Sequence, residues 1–300
     1  MAMTLNDDQN MLRDTARDFM ASEAPVTHFR KFRDMGCKDG FSHGLWKQFA
    51  EMGFTGILIP EAEGGMGMGQ IEAGIVLEEI GRNLSPSPFL TTSVAADEAL
   101  KLADKAMRDR WLPGILAGET VIGIAIEEGV KHRPEKIACV AERSGNGFKL
   151  TGHKQFVVQG TSSDMLIVAA RTAGAVGETD GLTLFAVDKD AAGLSMEAAR
   201  LVDSAMAAHV KLDGVHVNAD AVIGDVDGGW AVLSKMLDAG RVGAAAEMVG
   251  VGTGAMDMTF DYLKTRKQFD RVIGEFQALQ HRAAHLYGEM EGARSIVLKA

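Results

Sequence analysis

The chain has 300 residues, 46% hydrophobic and 24% charged, which excludes wholesale disorder and leaves room for two or three packed modules. Thirty-five glycines against six prolines exclude a collagen or linker composition. Lys+Arg 31 against Asp+Glu 41, a net charge of −10, excludes a chain-wide basic footprint for nucleic acid, although an acidic surface still permits a local basic pocket for an anion.

Residues 1–118 read as a helical domain. Met11, Leu12, Ala16, Phe19 and Met20 recur at helical spacing, with Thr4 or Asn6 as the N-cap. Leu45, Trp46, Phe49 and Met52 repeat the pattern, as do Ile75, Val76, Leu77 and Ile80. Between them lies Gly-Gly-Met-Gly-Met-Gly at 64–69, which no βαβ unit surrounds, so it reads as a flexible loop between helices, not a dinucleotide fingerprint. A third helix is expected over about 94–117.

From 119 to 228 the period falls to two, which predicts an antiparallel β-barrel or sandwich. Strands are expected over 121–126, 165–170 and 182–187, and Val210, Leu212, Val215 and Val217 alternate with polar residues. Ser144-Gly-Asn-Gly147 marks a hairpin turn between 137–142 and 148–152. From 229 to 300 helices return, with small residues over 230–265 suited to close packing. The fold class is therefore α+β multidomain: helical, β, helical. The sequence stops at Ala300 without a cap, Gly or Pro, and reads as a truncated C-terminal helical domain.

Cys37 and Cys139 are too few for a disulfide framework or a four-thiolate zinc site, and they fit a reducing cytoplasm. The polar N-terminus has no apolar signal core. The apolar stretch 242–256 is short and broken by Glu247, so no membrane span is expected. His281 and His285 stand at i,i+4 without a flanking Glu, which favours surface histidines, and no metal site is expected. Arg266, Lys267 and Arg271 form a basic turn between a helix end and a helix restart; it is either a solvated corner or a phosphate-binding one.

Four segments together resemble the acyl-CoA dehydrogenase family, over essentially all 300 residues. Tyr262-Leu-Lys-Thr-Arg266-Lys-Gln-Phe269, with Ile273-Gly-Glu-Phe-Gln277, resembles the start of its C-terminal helical domain. Gly-Ile-Leu-Ile-Pro-Glu-Ala-Glu-Gly-Gly at 56–65 resembles its Pro-Glu-x-Gly-Gly loop. Leu150-Thr-Gly-His-Lys-Gln-Phe-Val-Val-Gln-Gly160 is similar to its L-x-G-x-K-x-W-I-T-N-G strand, and 215–230 to the stretch leading into the next helix.

The resemblance implies FAD held between the β domain and the C-terminal helices, partly across a subunit interface. It implies α,β-dehydrogenation of an acyl-CoA thioester, with electrons passed to an electron-transferring flavoprotein. A homo-oligomer, or a hetero-oligomer with a related chain, is implied too. Carried over residue by residue, Arg266 matches the arginine that reaches a neighbour's FAD pyrophosphate, with Phe269 and Gln277 along the same edge. Phe156 and Val158 occupy the flavin-facing strand, and Ala125 and Ile126 offer backbone donors. Asp238 and Arg241 match a substrate-contacting D-x-x-R helix; on spacing alone they are an i,i+3 helix pair.

The chain departs from the pattern in two places. Where members read T-E-P-G-A-G-S-D after the first strand, it reads Ile126-Glu-Glu-Gly-Val-Lys-His-Arg-Pro134, and Phe156-Val157-Val158 replaces Trp-x-Thr. Some members carry the catalytic Glu just before the D-x-x-R arginine, where this chain has Gly240; Glu247, two turns on, is not the expected base, which is expected beyond Ala300. A non-catalytic, flavin-poor partner subunit, or an oxidase-type relative, stands as the alternative. The acyl chain is not legible.

Overall fold

The computed structural model describes residues 4–300. Helices α1 (Asp7–Glu23), α2 (Val26–Asp34), α3 (His43–Glu51), α4 (Gln70–Asn83), α5 (Ala96–Leu100) and α6 (Lys105–Leu116) come first. Strands β1 (Ile122–Ala125), β2 (Val140–Ser144), β3 (Gly147–Val158), β4 (Met165–Arg171), β5 (Leu182–Asp188), β6 (Leu194–Arg200), β7 (Met206–Asn218) and β8 (Val222–Ile223) follow. The chain then runs through α7 (Gly229–Thr265), the short strands β9 (Lys267–Gln268) and β10 (Arg271–Val272), and α8 (Gln277–Lys299). Contacts divide it into two compact units: residues up to Arg30 with Gln70–Ser85 and Arg241–Ala300, and Lys31–Gly69 with Pro86–Gly240.

In the first unit, Asn6 is the cap that starts α1. Its side chain accepts the Gln9 N–H (2.8 Å) while Gln9 accepts the Asn6 N–H (3.0 Å), so two orphan donors are satisfied at once. Ala16 and Met20 on α1 are buried, as are Ala73, Val76, Leu77 and Ile80 on α4. The small residues of α7 do what their size permits. A Cβ on Gly250 would stand 1.9 Å from the Glu78 carbonyl oxygen, and one on Gly81 2.0 Å from that of Glu247. The two backbones meet where only hydrogen fits. Charged groups are paired around this contact: Arg17 with Glu79 and Arg294 with Glu78, each at 2.8 Å.

The second unit holds the core of the β region. Its sheet runs β6-β7-β3-β2-β4-β5-β8. The pairing path stays open, with no β6–β8 pair among the described residues, so it is no closed barrel. Nor is it purely antiparallel: β1 lies parallel to β4, Ile122 opposite Met165 through Ala125 opposite Val168. The reason is the connection. The whole β2–β3 hairpin intervenes between β1 and β4, a crossover long enough to return the chain in the same direction. β4 is buried at every position, as a strand covered on both faces must be. The hairpin itself forms as the glycines require, with Ser144 opposite Gly147 and Gly145 at φ +58° in the turn.

Three local expectations change. The helix expected over 94–117 is broken: a π-helical turn (Phe89–Ala95) leads into α5, and α6 begins afresh because Asp104 accepts the Met107 N–H at 2.7 Å. The glycine segment 64–69 is not a flexible loop. The N–H groups of Gly65, Met66, Gly67 and Met68 donate to the carbonyls of Pro60, Gly56, Ile59 and Ile57. β6 was not foreseen, because Leu-Ser-Met-Glu-Ala-Ala-Arg is largely exposed and too weakly apolar to alternate.

Candidate functional site

The candidate residues fall into two sets. The first lies where β1 ends beside β3. Ala125 and Ile126 are buried, and the Ile126 carbonyl accepts from Lys154 Nζ at 3.2 Å. The Glu127 carbonyl accepts the Gln155 N–H at 2.7 Å. The N–H of Ile126, by contrast, meets no acceptor among the described residues. A buried donor without a partner is costly unless a ligand or water fills it.

Beside it β3 bulges. Lys154 pairs with Val210 and Val157 with Ala208, so two residues of β3 oppose one of β7. Side-chain parity flips there. Phe148, Leu150 and Lys154 face inward before the bulge, Val157 faces inward after it, and Phe156 is turned out, 43% exposed. Phe156 sits at φ +54°, its ring 6.3 Å from that of His209. A bulky residue in the left-handed region costs about 1–3 kcal/mol, and such strain gathers at functional sites. Val158 is half-buried, and the following Gln159 is also left-handed (φ +52°). A groove of about 460 Å³ opens along this stretch, lined by His153, Gln155, Met196 and His209 among others. Glu127 is held by His132 Nδ1 (2.5 Å) and the Arg133 N–H (3.1 Å).

The second set lies between α7 and α8. β9 and β10 form a two-residue hairpin, Gln268 opposite Arg271, whose turn is Phe269 (φ +54°) and Asp270 (φ +63°). Two positive φ values are the signature of the turn that suits a twisted hairpin, a place usually given to Asn-Gly. Here a phenylalanine takes it, 85% exposed, with its ring edge-on to Phe276 at 6.2 Å. Arg271 stacks over Phe276 at 4.2 Å. Arg266 is exposed and has no carboxylate partner among the described residues, and Gln277 is exposed at the start of α8. The basic turn thus presents a free guanidinium and an aromatic ring.

Asp238 and Arg241 lie exposed one turn apart on α7. Gly240 is half-buried, and so is Glu247, whose carbonyl is the group that approaches Gly81. His285 pairs with Glu289 at 3.7 Å. Among the described residues no three His, Cys, Asp or Glu side chains come together as a metal site, and no helix is long and apolar enough to cross a membrane. The cleft of about 750 Å³ beside α6 and β5 is lined by none of the candidate residues.

Taken each by itself, the unsatisfied N–H and outward ring of the first set suit a hydrogen-bond-accepting aromatic group, and the exposed ring and unpaired guanidinium of the second suit a phosphate-bearing one. FAD has that chemistry. Sequence reasoning named Ile126, Phe156 and Arg266 but missed Lys154 and Glu128. The available signal was a lysine at core-facing parity in β3, in register with Phe148 and Leu150.

Models of the acyl-CoA dehydrogenase family match three segments: its N-terminal domain over residues 6–119, its middle domain over 126–215 and its C-terminal domain over 227–300. Acyl-CoA dehydrogenase FadE12 of Mycobacterium tuberculosis is 31% identical over 293 residues, 96% of this chain and 76% of that protein. A solved variant of the Tcur3481-Tcur3483 steroid ACAD is 33% identical, with 99% of this chain and 77% of that one covered and a TM-score of 0.85. The ChsE4-ChsE5 complex from Mycobacterium tuberculosis is 25% identical over 100% of this chain and 78% of that one, with a TM-score of 0.87.

Proposed function

Because the chain belongs to the acyl-CoA dehydrogenase family, we propose that it serves the FAD-dependent α,β-dehydrogenation of an acyl-CoA thioester. FAD, once bound, supplies a two-electron acceptor at N5 for the hydride that leaves the β carbon. The remaining work falls to side chains and backbone. The Ile126 N–H, with Ala125 beside it, donates to the cofactor, and Phe156 and Val158 give it an apolar wall. Arg266 balances pyrophosphate charge, with Phe269 and Gln277 along the same edge, for the cofactor of a partner chain. Asp238 and Arg241 meet the thioester. Gly240 leaves α7 without the carboxylate that some relatives carry there, and no residue is assigned as the α-proton base.

The observation that carries this reading is the buried, acceptor-less Ile126 N–H beside an outward, left-handed Phe156. We also propose the division 1–118, 119–228 and 229–300, a cytoplasmic location and electron transfer to an electron-transferring flavoprotein.

A second reading has its own support. The 126–134 segment lacks the family's hydroxyl and Gly-Ser-Asp end, and one of the two solved structures named above is of a complex, ChsE4-ChsE5. In that reading the chain is the flavin-poor partner in a hetero-oligomer. Expression of the full chain alone and a visible spectrum separate the two. A yellow protein bleached anaerobically by an acyl-CoA supports catalysis by this chain. A colourless folded protein that takes up flavin only with a second chain supports the partner role, and one that takes up none in either state overturns both.

A further inference from the structure

The segment proposed to face the cofactor is fastened by a buried ion pair that the family pattern lacks. Glu128 stands where that pattern has proline. Its carboxylate, 8% exposed, accepts from Lys154 Nζ (2.7 Å), the Ala138 N–H (2.7 Å) and the Cys139 N–H (3.0 Å). Lys154 is 0% exposed, and its Nζ also donates to the Ile126 carbonyl at 3.2 Å. The residues flanking Lys154 hold the next two carbonyls: the Gln155 N–H donates to that of Glu127 (2.7 Å), and Gln155 Nε2 (3.3 Å) and His153 Nε2 (3.2 Å) donate to that of Glu128. Residues 126–128 are thus tied through their carbonyls to three consecutive residues of β3, 153–155, which lead into the bulge that turns out Phe156.

A buried ion pair is a poor way to gain stability, since desolvation offsets most of the attraction and an apolar pair of the same shape often serves as well. What it fixes is geometry. The hydroxyl and the Gly-Ser-Asp end of the family segment are gone, so side chains of 126–134 cannot aim this stretch as the pattern does. We propose that Lys154 and Glu128 are positioning residues: by gripping the Ile126 carbonyl and the Glu128 side chain, they set the direction of the Ile126 N–H toward the cofactor. Neither touches the cofactor. The inference rests on the proposed FAD reading.

The test uses the full chain, with its partner chain if flavin uptake needs one, and compares Lys154→Met/Glu128→Leu with wild type. Three quantities are followed: the thermal midpoint of the cofactor-free chain, amide exchange at 126–128, and the FAD dissociation constant by fluorescence titration. The double variant removes the ion pair but also leaves the Ala138 and Cys139 N–H groups without their carboxylate acceptor, so it is expected to fold with a lowered midpoint. Its exchange at 126–128 is expected to rise about tenfold or more, and FAD to bind about tenfold more weakly. Lys154→Arg, which keeps a donor to both acceptors, is expected to restore most of the affinity. Wild-type affinity and exchange in a folded double variant overturn the positioning role while leaving the FAD reading intact. A wild-type chain that binds no FAD in any assembly overturns the reading and the proposal together. If the double variant does not fold, Glu128→Gln decides: weaker FAD binding with a shifted flavin band supports the role, and unchanged binding and spectrum overturn it.

Discussion

The two sets of proposed cofactor residues are built in opposite ways. At the end of β1, polar groups are buried and fastened, Lys154 on Glu128 and the 126–128 carbonyls on β3. At the β9–β10 hairpin, Arg266, Phe269 and Gln277 all stand in solvent. Burial makes the first set part of the fold, so its geometry is inherited from the core. Exposure leaves Arg266 with no carboxylate partner among the described residues, which suits a residue whose partner is a ligand or another chain. The lesson is that removing a buried charge from the first set reads out in stability as well as in binding, whereas removing the exposed Arg266 side chain from the second reads out in binding with little change in stability.

The sharpest break in that contrast is Lys154→Met by itself. It leaves Glu128 charged, buried and without its cation, and is expected to cost about 3–5 kcal/mol, measured by urea unfolding. A loss no larger than that of a surface substitution removes the distinction.

Cys139 reports on the same region through its proton. Burial pushes its thiol up from 9.0 to about 11, with Lys154 pulling the other way and Glu128 adding to the rise. The thiolate fraction at pH 8 is then about a hundredfold below that of an ordinary thiol, and alkylation should mark Cys37 well before Cys139 by mass spectrometry. Sign follows from linkage: the native chain holds this proton more tightly than the unfolded one, so its contribution to stability falls as pH climbs from 9.0 toward 11. Lys154→Met removes the cation that pulls this thiol down, so the thiolate fraction falls further and Cys139 labelling should slow. Labelling as fast as Cys37 in wild type contradicts the burial of Cys139.

On the hairpin side, Phe269→Asn places a residue that tolerates the left-handed region at φ +54° and should raise stability by about 1 kcal/mol while weakening FAD retention. Arg266→Ala is the mildest for the fold. Stability should move by less than about 0.5 kcal/mol, while FAD dissociates about tenfold more readily from the assembled protein. A large fall in thermal midpoint on Arg266→Ala erases the contrast between the regions.

Much of the architecture was legible because periodicity and turn chemistry are local. The Ser144–Gly147 turn, the Asn6 cap and the inward residues of β4, β5 and β7 follow from spacing alone. The parallel β1–β4 pair was hidden, since strand direction depends on what intervenes and not on the strand itself. The bulge in β3 was hidden too: alternation through Lys154-Gln-Phe-Val157 assigns Phe156 inward, and one extra residue against β7 reverses it. Lys154 was passed over as a family-pattern letter although its parity pointed into the core. Glu128 could be seen to replace proline, but its three donors come from 138, 139 and 154, distant in sequence.

The most direct measurement follows hydrogen exchange at the Ile126 amide of the assembled protein, with and without FAD. Slower exchange at Ile126 on FAD addition, beyond any change in global stability, is the expected result. An Ile126 amide that exchanges at the same rate while FAD binds contradicts the claim that this buried donor serves the cofactor.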